Sequence, residues 1–426
     1  MTKDNLKYSA YINILKEELV PAMGCTEPIA LAYCAAKARE VLGAMPDKVV
    51  VGASGSIIKN VKSVIVPNTD HMKGIPAAAI AGIVAGDPSK ELEVIAQVTP
   101  EEIAGMHSFM ENVPVLVEHV DNGLTFEIIV TLWKGEEYAK VRIVNYHTNI
   151  VLIEKNGEVL MEVKVEGEGE SGLTDRSVLN MADILDFAES VDVNDIRDVL
   201  SRQIQYNTAI AEEGLRGDYG SNIGRMLLDF YGDRSVITRA KAMAAAGSDA
   251  RMNGCELPVI INSGSGNQGM TTSLPVIEYA KELKVSEEKL YRALAVANLV
   301  TIHQKTSIGR LSAFCGAVSA GAGAGAGIAY LLGTDLDGIS HTVANAIATT
   351  GGMVCDGAKA SCASKIATAV EAGIMGYTMH VQNNNFQPDD GLVGQTPEQT
   401  IANIGRLGKQ GMKQTNEEII KIMVGE

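Results

Sequence analysis

Aromatic side chains are scarce, at 4% of 426 residues, and cations are outnumbered, with 36 Lys plus Arg against 52 Asp plus Glu. The first shortage argues against stacking platforms for nucleobases. The second leaves a formal charge of −16 and argues against a basic surface for nucleic acid or anionic membrane. Partners are therefore expected to be small molecules. The opening MTKDNLKYSAYINILKEELV carries charges where a signal peptide needs an apolar core, so the expected compartment is the cytoplasm, with thiols reduced. In that setting the six cysteines point to metal binding or catalysis rather than disulfides. Glycine is abundant instead: 43 residues, about a tenth of the chain against roughly 7% on average. That richness favours closely packed small-residue helices and glycine-built binding loops.

The length allows two or three domains. Residues 5–20 read as a helix with Leu6, Ile12, Leu15 and Leu19 on roughly one face, and 28–42 as a second helix opening at Pro28 and stopping at Gly43. From Lys48 to about Lys164 the texture turns to short β-rich runs: KVVV, SVIVP, LEVIAQV, PVLVEHV, LTFEIIVTLW, AKVRIVNYH and NIVLIEKNGEVLMEV. The last contains Asn156-Gly157 between two apolar runs, a hairpin signal. Helices are expected at 75–85 and after Thr99, where TPEE has the form of an N-cap with acids in the first turn. Residues 165–176 read as a linker, and from about 177 onward the pattern is helical. The fold class is therefore α+β. A mixed α/β domain spans 46–176, and an all-α, Gly/Ala-rich domain is made from 1–45 and 177–426. Residues 313–333 hold no charge, yet more than half are Gly or Ala, which suits a buried bundle helix better than a membrane span.

Three cysteines, Cys315, Cys355 and Cys362, sit beside glycine or other small residues in AFCGAV, GGMVCDGA and ASCASK. Their spacing matches neither zinc pairs nor ferredoxin runs. On spacing alone they read better as core cysteines than as cluster ligands. Cys25, in GCTEP, precedes a helix start, where backbone N–H groups favour a thiolate. It reads as a base, a nucleophile, an extra metal ligand or a buried small hydrophobe. Cys34 and Cys255 read as structural. In INSGSGNQGM the glycines at 264, 266 and 269 flank Ser263, Ser265, Asn267 and Gln268, a nest suited to a carboxylate. No βαβ context supports a dinucleotide there. In HQKTSIGRLSAFCG, His303, Lys305 and Arg310 are cations for a carboxylate, or else a solvated helix end.

Taken together, PAMGCTEPIALAYCAA, INSGSGNQG, HQKTSIGRLSAFCGAVSAGAGAGAG and ATTGGMVCDGAKASCASKI resemble the L-cysteine desulfidase family, related to the alpha chain of iron–sulfur L-serine dehydratases. The resemblance implies an α/β part plus an all-α part. It implies that Cys315, Cys355 and Cys362 hold a [4Fe–4S] cluster and that Cys25 is the base. The implied reaction is elimination of sulfide from L-cysteine at an open iron, giving pyruvate and ammonia without pyridoxal phosphate. Glu27, Ser263, Ser265, Asn267, Gln268, Lys305 and Arg310 are then the expected substrate contacts. A homo-oligomer, taken as a dimer, is expected, with no nucleic-acid or membrane partner. L-Serine dehydratase is the alternative within enzymes. A non-catalytic small-molecule binding or iron–sulfur sensor protein is the alternative outside them.

Overall fold

The computed structural model describes residues 1–3, 5–165, 173–309 and 311–424. Most of the linker expected over 165–176 lies outside them. The fold is α+β. Helix α1 (Leu6–Glu18) leads to a short strand β1 (Pro21–Met23) and helix α2 (Thr26–Leu42). Strand β2 (Lys48–Ala53) is followed by α3 (Gly55–Val61), α4 (Gly74–Ala85) and α5 (Pro100–Asn112). Strands β3 (Val115–His119), β4 (Glu127–Lys134), β5 (Glu137–Val144), β6 (Ile150–Lys155) and β7 (Glu158–Glu162) then complete a sheet. Its order is β3-β2-β4-β5-β6-β7, with only the β2–β3 pair parallel. Positive φ at Asn156 (51°) and Gly157 (84°) fits the expected hairpin turn between β6 and β7. Val49, Val51, Ile128, Val130, Leu132, Val141 and Ile143 alternate along their strands and are buried, and α2 packs across β4 and β5.

The remaining chain is helical: α6 (Met181–Ser190), α7 (Val193–Arg216), α8 (Ile223–Tyr231) and α9 (Val236–Met252) come first. After a three-residue strand β8 (Pro258–Ile260) come α10 (Gly266–Leu283), α11 (Glu287–Ile308) and α12 (Gly316–Leu331). They are followed by α13 (Leu336–Thr350), α14 (Cys362–Val381), α15 (Pro397–Arg406) and α16 (Lys413–Val424).

Three local expectations change. Leu6 is 88% exposed, and α1 instead buries Tyr8, Tyr11, Ile14 and Leu15, with both tyrosines packed on the Phe187 ring. SVIVP and LEVIAQV form no strand: the first has only an isolated Ile65–Lys73 bridge, and Leu92, Val94 and Ile95 in the second are buried beside a 3₁₀ turn over Pro88–Glu93. Apolar β-branched runs report burial here, not pairing. Helix α2 begins at Thr26, two residues before Pro28, so Cys25 is its N-cap.

Helix α12 packs against α10, α11, α13 and α14, and its glycines are where neighbouring backbones meet it. A Cβ on Gly321 would lie 2.3 Å from the Ala369 carbonyl oxygen, and one on Gly323 2.0 Å from Thr301 Oγ1. Among the described residues no helix is long and apolar enough to cross a membrane. Gly321→Val is expected to cost at least about 3 kcal/mol, because the obstructing atoms are backbone and cannot rotate away. Gly352→Ala, with nothing within 4 Å of its added Cβ, should stay within about 0.5 kcal/mol of wild type. Urea unfolding of the two variants side by side checks this, and equal midpoints would contradict the packing argument.

Candidate active site

Strands β1 and β8 pair antiparallel, Pro21 with Ile260 and Met23 with Pro258, and so bring two distant loops together. Beyond β8 the chain makes a two-residue turn, with Ser263 at φ 50° and Gly264 at φ 80° between Asn262 and Ser265. It then enters α10 at Gly266. Buried amides hold this turn: Asn207 bonds both the N–H and the carbonyl of Ile260, and Asn262 Nδ2 donates to Asn298 Oδ1 at 2.9 Å. Thr26 Oγ1 donates to the Gly264 carbonyl at 2.7 Å, tying the turn to the first turn of α2. Gly269 has a role other than the one expected from the nest. Its N–H bonds the Ser265 carbonyl, and a Cβ there would meet the Ile260 carbonyl oxygen at 2.0 Å, so it lets α10 approach β8.

A second pairing joins the loops that carry the grouped cysteines. Phe314 bridges Val354, Cys315 N–H donates to the Met353 carbonyl at 3.1 Å, and Cys355 N–H donates to the Ala313 carbonyl at 2.6 Å. Lys59 of α3 is buried behind them, its Nζ donating to Asn416 Oδ1 at 2.7 Å and to the Cys355 carbonyl at 3.2 Å. Burial lowers its pKa. Lys365 Nζ bonds Asp356 and the Val354 carbonyl. Cys315 is the N-cap of α12 and Cys362 the first residue of α14.

These elements enclose one cavity of about 100 Å³. Cys25, Glu27, Ser263, Ser265, Asn267, Gln268, Lys305, Cys315, Cys355 and Cys362, all singled out in the sequence, line it. Arg310 lies outside the described residues. His303 is not in the wall; its Nε2 pairs with Glu398 Oε2 at 2.8 Å. Asn60, His147, Arg251 and Lys365 are in the wall and escaped the sequence reading. Each comes from a run with no motif around it except Lys365, which ends ASCASK. Helices α2, α10, α12 and α14 all start at the wall, so four N-terminal ends, each with partial positive charge, border one space. This suits an anionic occupant. A wider cleft of about 790 Å³ shares Ser263, Lys305, Leu311 and Ser312 with the cavity and leads outward past Lys409 and Lys413.

On one wall the Cys25 Sγ–H donates to Glu27 Oε2 at 3.1 Å, and Asn60 Nδ2 donates to Glu27 Oε1 at 3.0 Å. Arg251, 2% exposed, reaches the Gly24 carbonyl with its Nε at 2.7 Å; the bare Gly266 leaves it room. Burial, then the Glu27 charge, push the Cys25 thiol well above its usual range. The helix start does not offset them, contrary to the expectation of a ready thiolate. Burial alone would raise Glu27, but His147, the thiol hydrogen bond and Arg251 outweigh it, and its carboxyl titrates below its ordinary value. The pair therefore rests as thiol and carboxylate.

Among the grouped cysteines, burial and the neighbouring Cys355 push the Cys315 thiol up to about 12, and burial raises Cys362. Among the described residues no three His, Cys, Asp or Glu side chains are grouped to hold one metal ion. The three cysteines are spread around the cavity. An all-thiol donor set, with no imidazole or carboxylate among its members, is the chemistry of iron–sulfur clusters, and the helix ends offset the charge such a centre brings. Arg251 Nη2, Asn60 Oδ1 and Gln268 Oε1, buried atoms of wall residues, have no hydrogen-bond partner among the described residues. The residues present fit a cluster with a polar small molecule beside it.

Residues 89–421 match the family model described as serine dehydratase alpha chain. The chain is 58% identical to a UPF0597 protein of Desulfitobacterium hafniense, over 100% of this chain and 99% of that one. It is 54% identical to one of Lachnoclostridium phytofermentans (98% and 100% covered) and 45% identical to one of Treponema denticola (100% of both).

Proposed function

The chain belongs to the serine dehydratase alpha chain family, and on that premise we propose that it is an iron–sulfur lyase that eliminates the β-substituent of a small L-α-amino acid. L-Cysteine is the first substrate and L-serine the second; the family's description favours the hydroxyl, the resemblance of the motifs to cysteine desulfidases the thiol. One observation carries the reading: Cys315, Cys355 and Cys362 share a cavity with the Cys25–Glu27 pair and the 263–268 turn. A sensor needs the first set alone.

Cys315, Cys355 and Cys362 would hold a [4Fe–4S] cluster, which when bound supplies a Lewis-acidic iron lacking a protein ligand. The rest falls to the chain. The substrate carboxylate fits the 263–268 turn and the start of α10, with the buried Lys305 as its cation. The α-proton passes to the Cys25–Glu27 pair at the Cys25 sulfur, and the β-substituent departs with the electron pair. The resulting enamine becomes an imine that water converts to pyruvate and ammonia.

Protein purified anaerobically should carry about four irons with acid-labile sulfide, and it should release pyruvate from L-cysteine or L-serine assayed in parallel. Sulfide release from cysteine exceeding pyruvate formation from serine assigns the thiol substrate; the reverse assigns the hydroxyl. Stoichiometric zinc with no labile sulfide would overturn the cluster.

A further inference from the structure

Cys25 is a poor base as it rests. Its sulfur is 2% exposed, its proton points at Glu27 Oε2 3.1 Å away, and both burial and the Glu27 charge oppose a free thiolate. Glu27 is equipped differently. Two donors converge on its carboxylate, the Cys25 thiol on one oxygen and Asn60 Nδ2 at 3.0 Å on the other, so its oxygens are aimed and its charge is held inside the protein. His147, on the loop after β5, lies in the same wall and contributes the largest favourable electrostatic effect on that charge. A carboxylate held so close to a thiol has no value as a pocket for the carboxylate of an amino acid.

Building on the elimination reading, we propose that Glu27 is the terminal proton acceptor of the site and that Cys25 is the bridge to it. The transfer is concerted. The substrate Cα–H bond breaks as an S–H bond forms on Cys25, while the original S–H bond breaks and its proton bonds Glu27 Oε2. The products are a carbanion, a thiol and a carboxylic acid, so no free thiolate accumulates and charge balances. When the β-substituent leaves as an anion, the proton on Glu27 returns by the same bridge, and the pair is reset without an external acid. Asn60 is a positioning residue: it fixes the far oxygen of Glu27 so that the near one faces sulfur.

The test sets two readouts against each other in the anaerobic holoprotein. Glu27→Gln removes the acceptor but also the negative charge that suppresses ionisation of Cys25. Elimination should fall roughly 10²-fold, in kcat rather than KM, the scale of a lost general base. Alkylation of Cys25 by iodoacetamide, followed by peptide mass spectrometry, should become several-fold faster. Iron content should be unchanged, and Glu27→Asp should recover part of the rate, which a purely structural loss would not. Glu27→Gln turning over as fast as wild type makes Cys25 a base acting alone and overturns the relay while leaving elimination standing. Unchanged or slower alkylation overturns it too, because Glu27 then does not hold the thiol proton. A wild type that makes pyruvate from neither amino acid removes the elimination reading and the relay with it.

Discussion

Alanine at Cys315, Cys355 or Cys362 is expected to remove most of the iron and, with it, all elimination. A cluster held by three thiols has no ligand to spare, and all three line the one cavity. Their backbones are also interlocked. Cys315 and Cys355 flank the Phe314–Val354 bridge, and Cys362 Sγ lies 3.6 Å from the Gly357 carbonyl oxygen, in a loop whose Gly357 has φ 95° and abuts the Lys59 carbonyl. Loss of one thiol leaves two rigidly held and too few. Cys34→Ala and Cys255→Ala serve as controls: Cys34 donates to the Val141 carbonyl on the sheet side of α2, and neither residue reaches the cavity. Iron and labile-sulfide analysis of the five variants decides the matter. Retention of a full complement in any of the first three would show that its cysteine is not a ligand.

Cys25→Ala should separate chemistry from cofactor. Its side chain is in the cavity wall, on the N-cap of α2, and its removal leaves the Glu27–Asn60 bond and the three other cysteines in place. Iron should therefore stay. Turnover should drop by roughly 10²-fold or more, because the substrate α-proton loses its acceptor. Exchange of that proton with deuterated water, read by NMR on bound amino acid, should cease. Wild-type exchange in Cys25→Ala would hand the proton to another group, and loss of iron would make Cys25 a ligand.

Much of this site was legible before any coordinates because its parts fall in contiguous motifs. GCTEP, NSGSGNQ and the three small-residue cysteine segments each combine a helix start with a reactive or polar side chain, and that combination leaves a local imprint. Asn60, His147 and Arg251 left none. They reach the cavity through tertiary packing alone, from the last turn of α3, a post-strand loop and the last turn of α9. The pairing of β1 with β8 was equally silent, since three-residue strands lack a periodicity to read. The fold class was clear from texture, while SVIVP and LEVIAQV misled because a buried turn needs the same side chains as a strand. The state of Cys25 reversed for a similar reason. Helix position is visible in a sequence, but complete burial beside a carboxylate is not.

The Lys59 ammonium bears on how the chain is made. Its partners are the Ser312 and Cys355 carbonyls and the Asn416 amide oxygen, all encoded more than 250 residues later. A nascent chain that has finished only its sheet and its first helices lacks all three of these acceptors, and burying the ammonium without them would be unfavourable. Lys59 is therefore expected to settle inward only once the segments that carry those acceptors have been made. The cavity is thus a late product of biogenesis, because its wall is drawn from segments between Cys25 and Ile366 and a metal can be held there only after α14 has joined them.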